Sequence, residues 1–77
     1  MPRITPLHWK VLECIFTLYG FVFIRQSASH RMYEKDGVLR PVVIPVYDAI
    51  SPDITTGLLR TSGMTREDFF NLLAECK

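Results

Sequence analysis

The chain has 77 residues, of which 48% are hydrophobic and 12% aromatic. This length predicts one compact domain over residues 1–77, because a second domain with its own core would not fit. The apolar fraction is too high for a disordered chain, and the small size argues against a large enclosed pocket for a dinucleotide or a haem. Nine Lys and Arg against eight Asp and Glu give a net charge of +1, so any contact with nucleic acid depends on where individual cations lie.

The cysteines indicate a reducing compartment. Cys14 and Cys76 are too few for a secreted domain held together by disulfides, so we expect reduced thiols in a cytoplasmic protein. With His8 and His30 they are the only His and Cys residues, and all four lie far apart along the chain, so we expect no metal site and no cofactor. The longest apolar stretch, residues 18–24, is far below the ~20 residues that span a bilayer.

The first predicted element is a helix over residues 6–19. Thr5 is a suitable N-cap, and Pro6 fits the first helical position, where a missing N–H costs no hydrogen bond. Gly20 is the expected end, because glycine tolerates the left-handed conformation found there. One apolar stripe at helical spacing is expected to face the core, and it consists of Leu7, Val11, Cys14, Ile15 and Leu18.

Two aromatic residues of this helix lie nearly opposite that stripe. Trp9 and Phe16 fall there at about 100° per residue, and a helix packed on one side only would leave both exposed. Either the apolar stripe is wide and the chain termini cover it, or Trp9 and Phe16 form a partner-binding face, since exposed aromatic residues mark interfaces.

Three strands are predicted next, forming an antiparallel meander. Residues 21–26 are aromatic and β-branched, and strict alternation places Phe21, Phe23 and Arg25 on one face. A small-residue corner at 27–29 leads to a second strand over residues 30–35, which ends at an Asp-Gly turn. The third strand spans residues 38–47, and its two prolines predict an edge or bent strand because proline lacks the ladder donor.

Two further helices complete the prediction. Pro52 and Asp53 open a short helix over residues 54–61. Thr65 caps the last helix, with Asp68 three residues later in a variant of the capping box. Helices before and after an antiparallel sheet predict an α+β two-layer sandwich, with the helices on one face of the three-stranded sheet and the other face open.

Several short segments are similar to those of a known family. In chain order they are Tyr19-Gly20-Phe21, Arg25-Gln26, Ser27-Ala28-Ser29-His30, Val43-Ile44-Pro45-Val46, Leu58-Leu59-Arg60, Ser62-Gly63-Met64-Thr65 and Glu67-Asp68-Phe69. They are similar to a Gly-Phe and Arg-Gln entry into the first strand, a Gly-Ser-His motif, a Val-Pro segment in the third strand and a closing helical stretch. In this order and spacing, over residues 7–73, the chain resembles the HicA toxin family, also called YcfA-like.

The resemblance implies a double-stranded-RNA-binding-like α-β-β-β-α fold. It also implies the toxin of a type II toxin–antitoxin system that acts in the cytoplasm as part of a stress response. The implied activity is metal-independent endoribonuclease cleavage of mRNA (an mRNA interferase), and the implied partner is a HicB-type antitoxin that neutralises it.

The chain departs from the family pattern at two positions. Ala28 stands where members usually have Gly, and if this corner needs a positive φ, Ala would be strained there. Tyr47 stands where many members have a second histidine. Both changes favour weaker or altered activity, and they keep open the alternative of a non-catalytic RNA-binding or antitoxin-binding module of the same fold.

Cleavage of RNA without metal needs a base for the ribose 2′-hydroxyl, an acid for the leaving oxygen and cations for the phosphorane charge. Histidine suits the proton transfers because the ordinary pKa of imidazole is about 6.5. His30 is the only histidine of the strand region, and we predict that it is the general acid or base. The alternative is an ordinary strand histidine. If His30 lines the open face, alternation turns the charged Arg31 toward the helices, which is unfavourable. Either the second strand is an edge whose long side chains reach solvent, or His30 precedes the strict alternation.

Six residues are predicted to contact RNA. They are Arg25, Ser29, Arg31, Lys35, Arg40 and Tyr47. The cations suit phosphate, the serine hydroxyl can donate to a phosphate oxygen, and the tyrosine can donate a hydrogen bond or stack on a base. The alternative for the cations is a solvated strand surface, and the default for His8 and Arg60 is a surface role.

Overall fold

The computed structural model describes residues 3–76, which form three helices and one three-stranded sheet. In chain order the elements are α1 (Trp9–Leu18), β1 (Val22–Ser27), β2 (His30–Glu34), β3 (Val42–Pro45), α2 (Pro52–Ser62) and α3 (Arg66–Cys76). The strands pair antiparallel in the order β1-β2-β3. The predicted α+β class and the meander are therefore confirmed.

The helix α1 begins at Trp9 and not at residue 6. His8 is its N-cap, with the imidazole Nδ1 accepting a hydrogen bond from the Lys10 backbone N at 3.1 Å. Leu7 instead forms an isolated β-bridge with Ile50, through backbone hydrogen bonds of 3.2 and 2.7 Å. That bridge holds the preceding segment extended, so Thr5 and Pro6 cannot start the helix. The predicted end is confirmed, because Gly20 follows the helix with φ +111°.

The buried side of α1 differs from the predicted stripe. Leu12, Ile15 and Phe16 are each 0% exposed, whereas Leu18 is 54% exposed. The helix packs against both α3 and β3, so the buried arc is set by two neighbours and not by one apolar stripe. Of the two alternatives, the partner-binding face is wrong for Phe16, since this residue is buried and its ring packs edge-on against the Phe21 ring. Trp9 is half-buried.

A β-bulge in β1 changes which side chains share a face. The register passes from Phe23 opposite Tyr33 to Arg25 opposite Met32, which leaves Ile24 as the extra residue. One extra residue reverses the alternation of the strand. Phe23 and Arg25 therefore lie on opposite faces, and the expectation that they share one is wrong.

The strand β3 is shorter than the predicted 38–47, because residues 35–41 form the connection from β2. It lies at an edge of the sheet, as its prolines predict. The strand β2 is central, so the alternative that placed it at an edge is wrong.

Both C-terminal helices are capped at their N-termini, and the cap of α3 is the predicted one. The helix α2 has Ser51 as N-cap and ends at Gly63, which has φ +75°. It is a full eleven residues, and so longer than predicted. At the start of α3, the Thr65 hydroxyl accepts a hydrogen bond from the Asp68 backbone N at 3.0 Å, which is the predicted capping contact.

The cysteines form a disulfide, which corrects the prediction of reduced thiols. Cys14 in α1 and Cys76 in α3 are separated by 62 residues along the chain, yet their Cα atoms lie 5.9 Å apart, within the usual range for a disulfide. The prediction was based on the small number of cysteines, which does not reveal that α1 and α3 pack side by side.

The core lies between the helices and one face of the sheet. Its fully buried sheet residues are Tyr33, Val42 and Ile44, each 0% exposed. We call this side of the sheet the covered face and the other side the open face. Within residues 3–76, no helix is long and apolar enough to cross a membrane.

Candidate active site

The β1–β2 hairpin ends in a two-residue loop beside His30. Ser27 pairs with His30, so Ala28 and Ser29 form the turn. Ala28 has φ +53°, the left-handed conformation that would strain a non-glycine residue here. The Gln26 side-chain amide donates to the Ala28 carbonyl at 3.0 Å and so holds the turn from one side.

His30 and Arg25 lie on the open face of the sheet. Met32 is on this face because Tyr33, its neighbour, is in the core, and alternation places His30 on the same side. Arg25 pairs with Met32, which makes Arg25 the diagonal neighbour of His30, at roughly 7–8 Å for such pairs. Both residues are exposed. A cation and an imidazole therefore stand side by side on an accessible surface.

The end of β3 brings Tyr47 to the same end of the sheet. The Val46 backbone N donates to the Ser29 carbonyl at 2.7 Å, and the next residue, Tyr47, is 45% exposed. The Tyr47 carbonyl accepts a hydrogen bond from the Trp9 backbone N at 3.1 Å. Four predicted residues therefore share one end of the molecule: Arg25, Ser29, His30 and Tyr47.

Arg31, a predicted RNA contact, is engaged by side chains of the chain itself. It lies on the covered face, where its guanidinium contacts the Glu13 carboxylate at 3.0 Å and donates to the Tyr33 hydroxyl at 3.0 Å and to the Gln26 side chain at 2.8 Å. The guanidinium also stacks 4.1 Å from the centre of the Phe23 ring. A charge facing the helices is thus satisfied by partners, and the Arg31 side chain is only 21% exposed.

The same contacts shift two pKa values. The hydrogen bond to Tyr33 raises the pKa of the Arg31 guanidinium, and the nearby Glu13 adds to this effect. Burial, with the hydrogen bond that the Tyr33 hydroxyl donates to Glu13, raises the pKa of Tyr33 to about 12. Glu13, Arg31 and Tyr33 are therefore a structural network. Sequence reasoning missed it, although a glutamate between apolar residues of α1 was a usable signal.

Lys35 and Arg40 lie at the other end of the sheet from His30. Both belong to the 35–41 connection that follows β2, whereas His30 begins that strand. The Lys35 ammonium stands 4.1 Å from the centre of the Tyr19 ring, so it is engaged within the chain. These two predicted RNA contacts are not brought together with the histidine.

His8, for which we predicted a surface role, has a defined partner. The His8 Nε2 lies 3.5 Å from the Asp48 carboxylate, and its Nδ1 caps α1. Asp48 follows Tyr47, so the pair lies near the end of the molecule that carries the β1–β2 loop and His30, which we call the hairpin end. Both imidazole nitrogens are occupied, which fits a capping role.

The arrangement at this end suits a ligand that carries phosphate. Arg25 offers a guanidinium for phosphate oxygens, and His30 can accept or donate a proton at an exposed position. Within residues 3–76, no group of three or more His, Cys, Asp and Glu side chains is placed to hold a metal ion.

No protein-family model matches the chain, and no curated protein matches it.

Proposed function

We propose that the chain is a metal-independent endoribonuclease of the HicA type, the toxin of a toxin–antitoxin pair, with His30 as general acid or base. The observation that carries the proposal is the diagonal placement of Arg25 and His30 on the open face. The family resemblance of the surrounding segments supplies the reaction and the double-stranded-RNA-binding-like fold. The order of α1 and the three-stranded meander is consistent with that fold.

In this proposal the RNA supplies its own nucleophile. The His30 imidazole takes the proton of a ribose 2′-hydroxyl as that oxygen attacks the adjacent phosphorus. The bond from phosphorus to the 5′ oxygen breaks, the leaving oxygen takes up a proton from water, and His30 then returns its proton to the solvent. Arg25 stabilises the negative charge of the phosphorane that forms during the attack. The products are a 2′,3′-cyclic phosphate and a 5′-hydroxyl.

The hairpin end also offers contacts that orient the RNA. Ser29 and Tyr47 are both exposed beside His30, and the tyrosine ring suits stacking on an unpaired base. The Trp9 backbone is joined to Tyr47 by a hydrogen bond. We therefore assign Trp9 to the surface that a HicB-type antitoxin covers when it blocks the site.

The test is cleavage of a structured RNA by the purified chain in the presence of EDTA. We expect the wild type to give 2′,3′-cyclic phosphate ends and His30→Ala to lose at least about a hundredfold in rate. His8→Asn is the matched control, because it removes the other histidine and asparagine still caps α1. Inducible expression of the same variants in bacteria should arrest growth for the wild type and His8→Asn only.

The alternative function makes a different prediction in this assay. A non-catalytic RNA-binding module would retard the RNA without cutting it, and Arg25→Ala would abolish the retardation. If the wild type neither cuts nor retards RNA, both forms of the proposal are wrong. If His30→Ala and the wild type cut equally, His30 has no catalytic role.

A further inference from the structure

A groove of about 630 Å³ lies at the opposite end of the sheet from His30. Val22 and Ile24 of β1 and Glu34 of β2 line one side, and the 35–41 connection lines the other. Val22 pairs with Glu34, two residues along β2 from Met32, which places this part of the groove on the open face. The groove and the hairpin end are therefore separate places on one surface.

The groove exposes aliphatic side chains that the core does not use. Leu39 is 101% exposed, Val22 is 62% exposed and Ile24 is 47% exposed. The strand β1 is also an edge strand, and all six of its residues are exposed. Apolar groups clustered beside an unpaired strand edge are typical of a surface that binds another chain.

The ionisable residues that line the groove carry a net negative charge. Three ionisable residues line it, namely Glu34, Lys35 and Asp36. The Lys35 ammonium lies over the Tyr19 ring, 4.1 Å from its centre, and its stem packs against Gly20. Within residues 3–76, neither Glu34 nor Asp36 forms an ion pair. Two exposed carboxylates therefore border the aliphatic side chains.

We propose that this groove is a docking site for a segment of a partner protein that combines aliphatic side chains with Lys or Arg. The aliphatic side chains would cover Val22, Ile24 and Leu39, and the cations would pair with Glu34 and Asp36. This inference is independent of any activity at His30.

The same chemistry disfavours RNA as the occupant. Two carboxylates repel phosphate oxygens, and the exposed side chains are aliphatic, whereas bases stack on aromatic rings. Within residues 3–76, no aromatic residue lines the groove. A protein segment with aliphatic side chains and cations complements both the aliphatic side chains and the carboxylates of the groove.

The experiment is a titration of the ¹⁵N-labelled full chain with a short synthetic peptide in which Leu alternates with Lys. We expect saturable shifts of the Val22, Ile24, Gly37 and Leu39 amides. Leu39→Ser should weaken binding about tenfold, and the double variant Glu34→Gln/Asp36→Asn should weaken it about fivefold. Leu39 is fully exposed, so its replacement removes no core packing, and the unchanged spectrum of the variant will confirm the fold.

Three controls define the outcomes. Leu18→Ser replaces an exposed leucine of α1 that does not line the groove, and it should leave the affinity unchanged. A Leu–Glu peptide that binds as well as the Leu–Lys peptide would overturn the charge complementarity. Shifts confined to the hairpin end, or oligouridylate shifting the groove amides, would overturn a protein-docking groove at this place.

Discussion

Arg31 and Glu13 form an ion pair that joins the central strand to the first helix. The guanidinium nitrogen lies 3.0 Å from the carboxylate, and the two side chains are only 21% and 30% exposed. The Tyr33 hydroxyl bonds to both partners. Arg31, which follows the proposed catalytic histidine in the chain, thus holds β2 against α1.

Replacing Arg31 with Met should destabilise the fold by about 2 kcal/mol, because the aliphatic stem remains but Glu13 loses its counter-charge. The free energy of unfolding, measured in urea, checks this value. The double variant Arg31→Met/Glu13→Leu should recover most of the loss, since it leaves no unpaired charge. A double variant less stable than Arg31→Met would contradict this account of the pair.

Stability should fall at alkaline pH because of Tyr33. Its pKa rises from the ordinary 10.0 to about 12 in the folded chain, so the folded state resists deprotonation more than the unfolded state does. The contribution is complete below pH 10 and is lost as the pH rises toward 12. Urea unfolding at pH 8, 10 and 11.5 should show this loss in the wild type, and Tyr33→Phe should show a smaller decline. Parallel declines in both proteins would contradict the assignment to Tyr33.

Local signals in the sequence predicted much of the fold. The turn at Gly37, the end of α1 before Gly20 and the cap at Thr65 depend on the residues of the turns themselves. The edge position of β3 follows from the missing N–H of proline. These features need little information from the rest of the chain.

The features that the sequence did not predict depend on contacts between distant segments. The bulge at Ile24 reverses the face of Arg25, and only the pairing with β2 reveals it. Phe16 is buried because α1 has two neighbours. His30 was predicted through its resemblance to a family motif and its position after a small-residue turn, whereas the contacts of Arg31 with Glu13 of α1 were not foreseen.

The disulfide should provide a large part of the stability of this small domain. Closing a loop between residues 62 apart restricts the unfolded chain and stabilises the fold by about 4 kcal/mol in the loop-entropy model. We expect the thermal midpoint of the wild type to fall strongly in reductant. The double variant Cys14→Ser/Cys76→Ser should have this lower thermal midpoint, and reductant should not change it further. A wild type that reacts with a thiol reagent in its native state would contradict the bond.

The turn at Ala28 should become more stable with glycine. Its φ of +53° costs a residue with a Cβ about 1 kcal/mol or more, and glycine removes that cost. Glycine also gains freedom in the unfolded chain, so the net gain from Ala28→Gly should be about 0.5 kcal/mol. The measurement is the urea midpoint.

Ala49→Gly is the control for this gain, because Ala49 is an exposed loop alanine without a positive φ, and its replacement should destabilise the chain slightly. If both variants lose stability equally, the left-handed turn carries no strain. The two variants also separate stability from activity. The turn adjoins His30, so Ala28→Gly should change the rate of the proposed RNA cleavage by more than Ala49→Gly does.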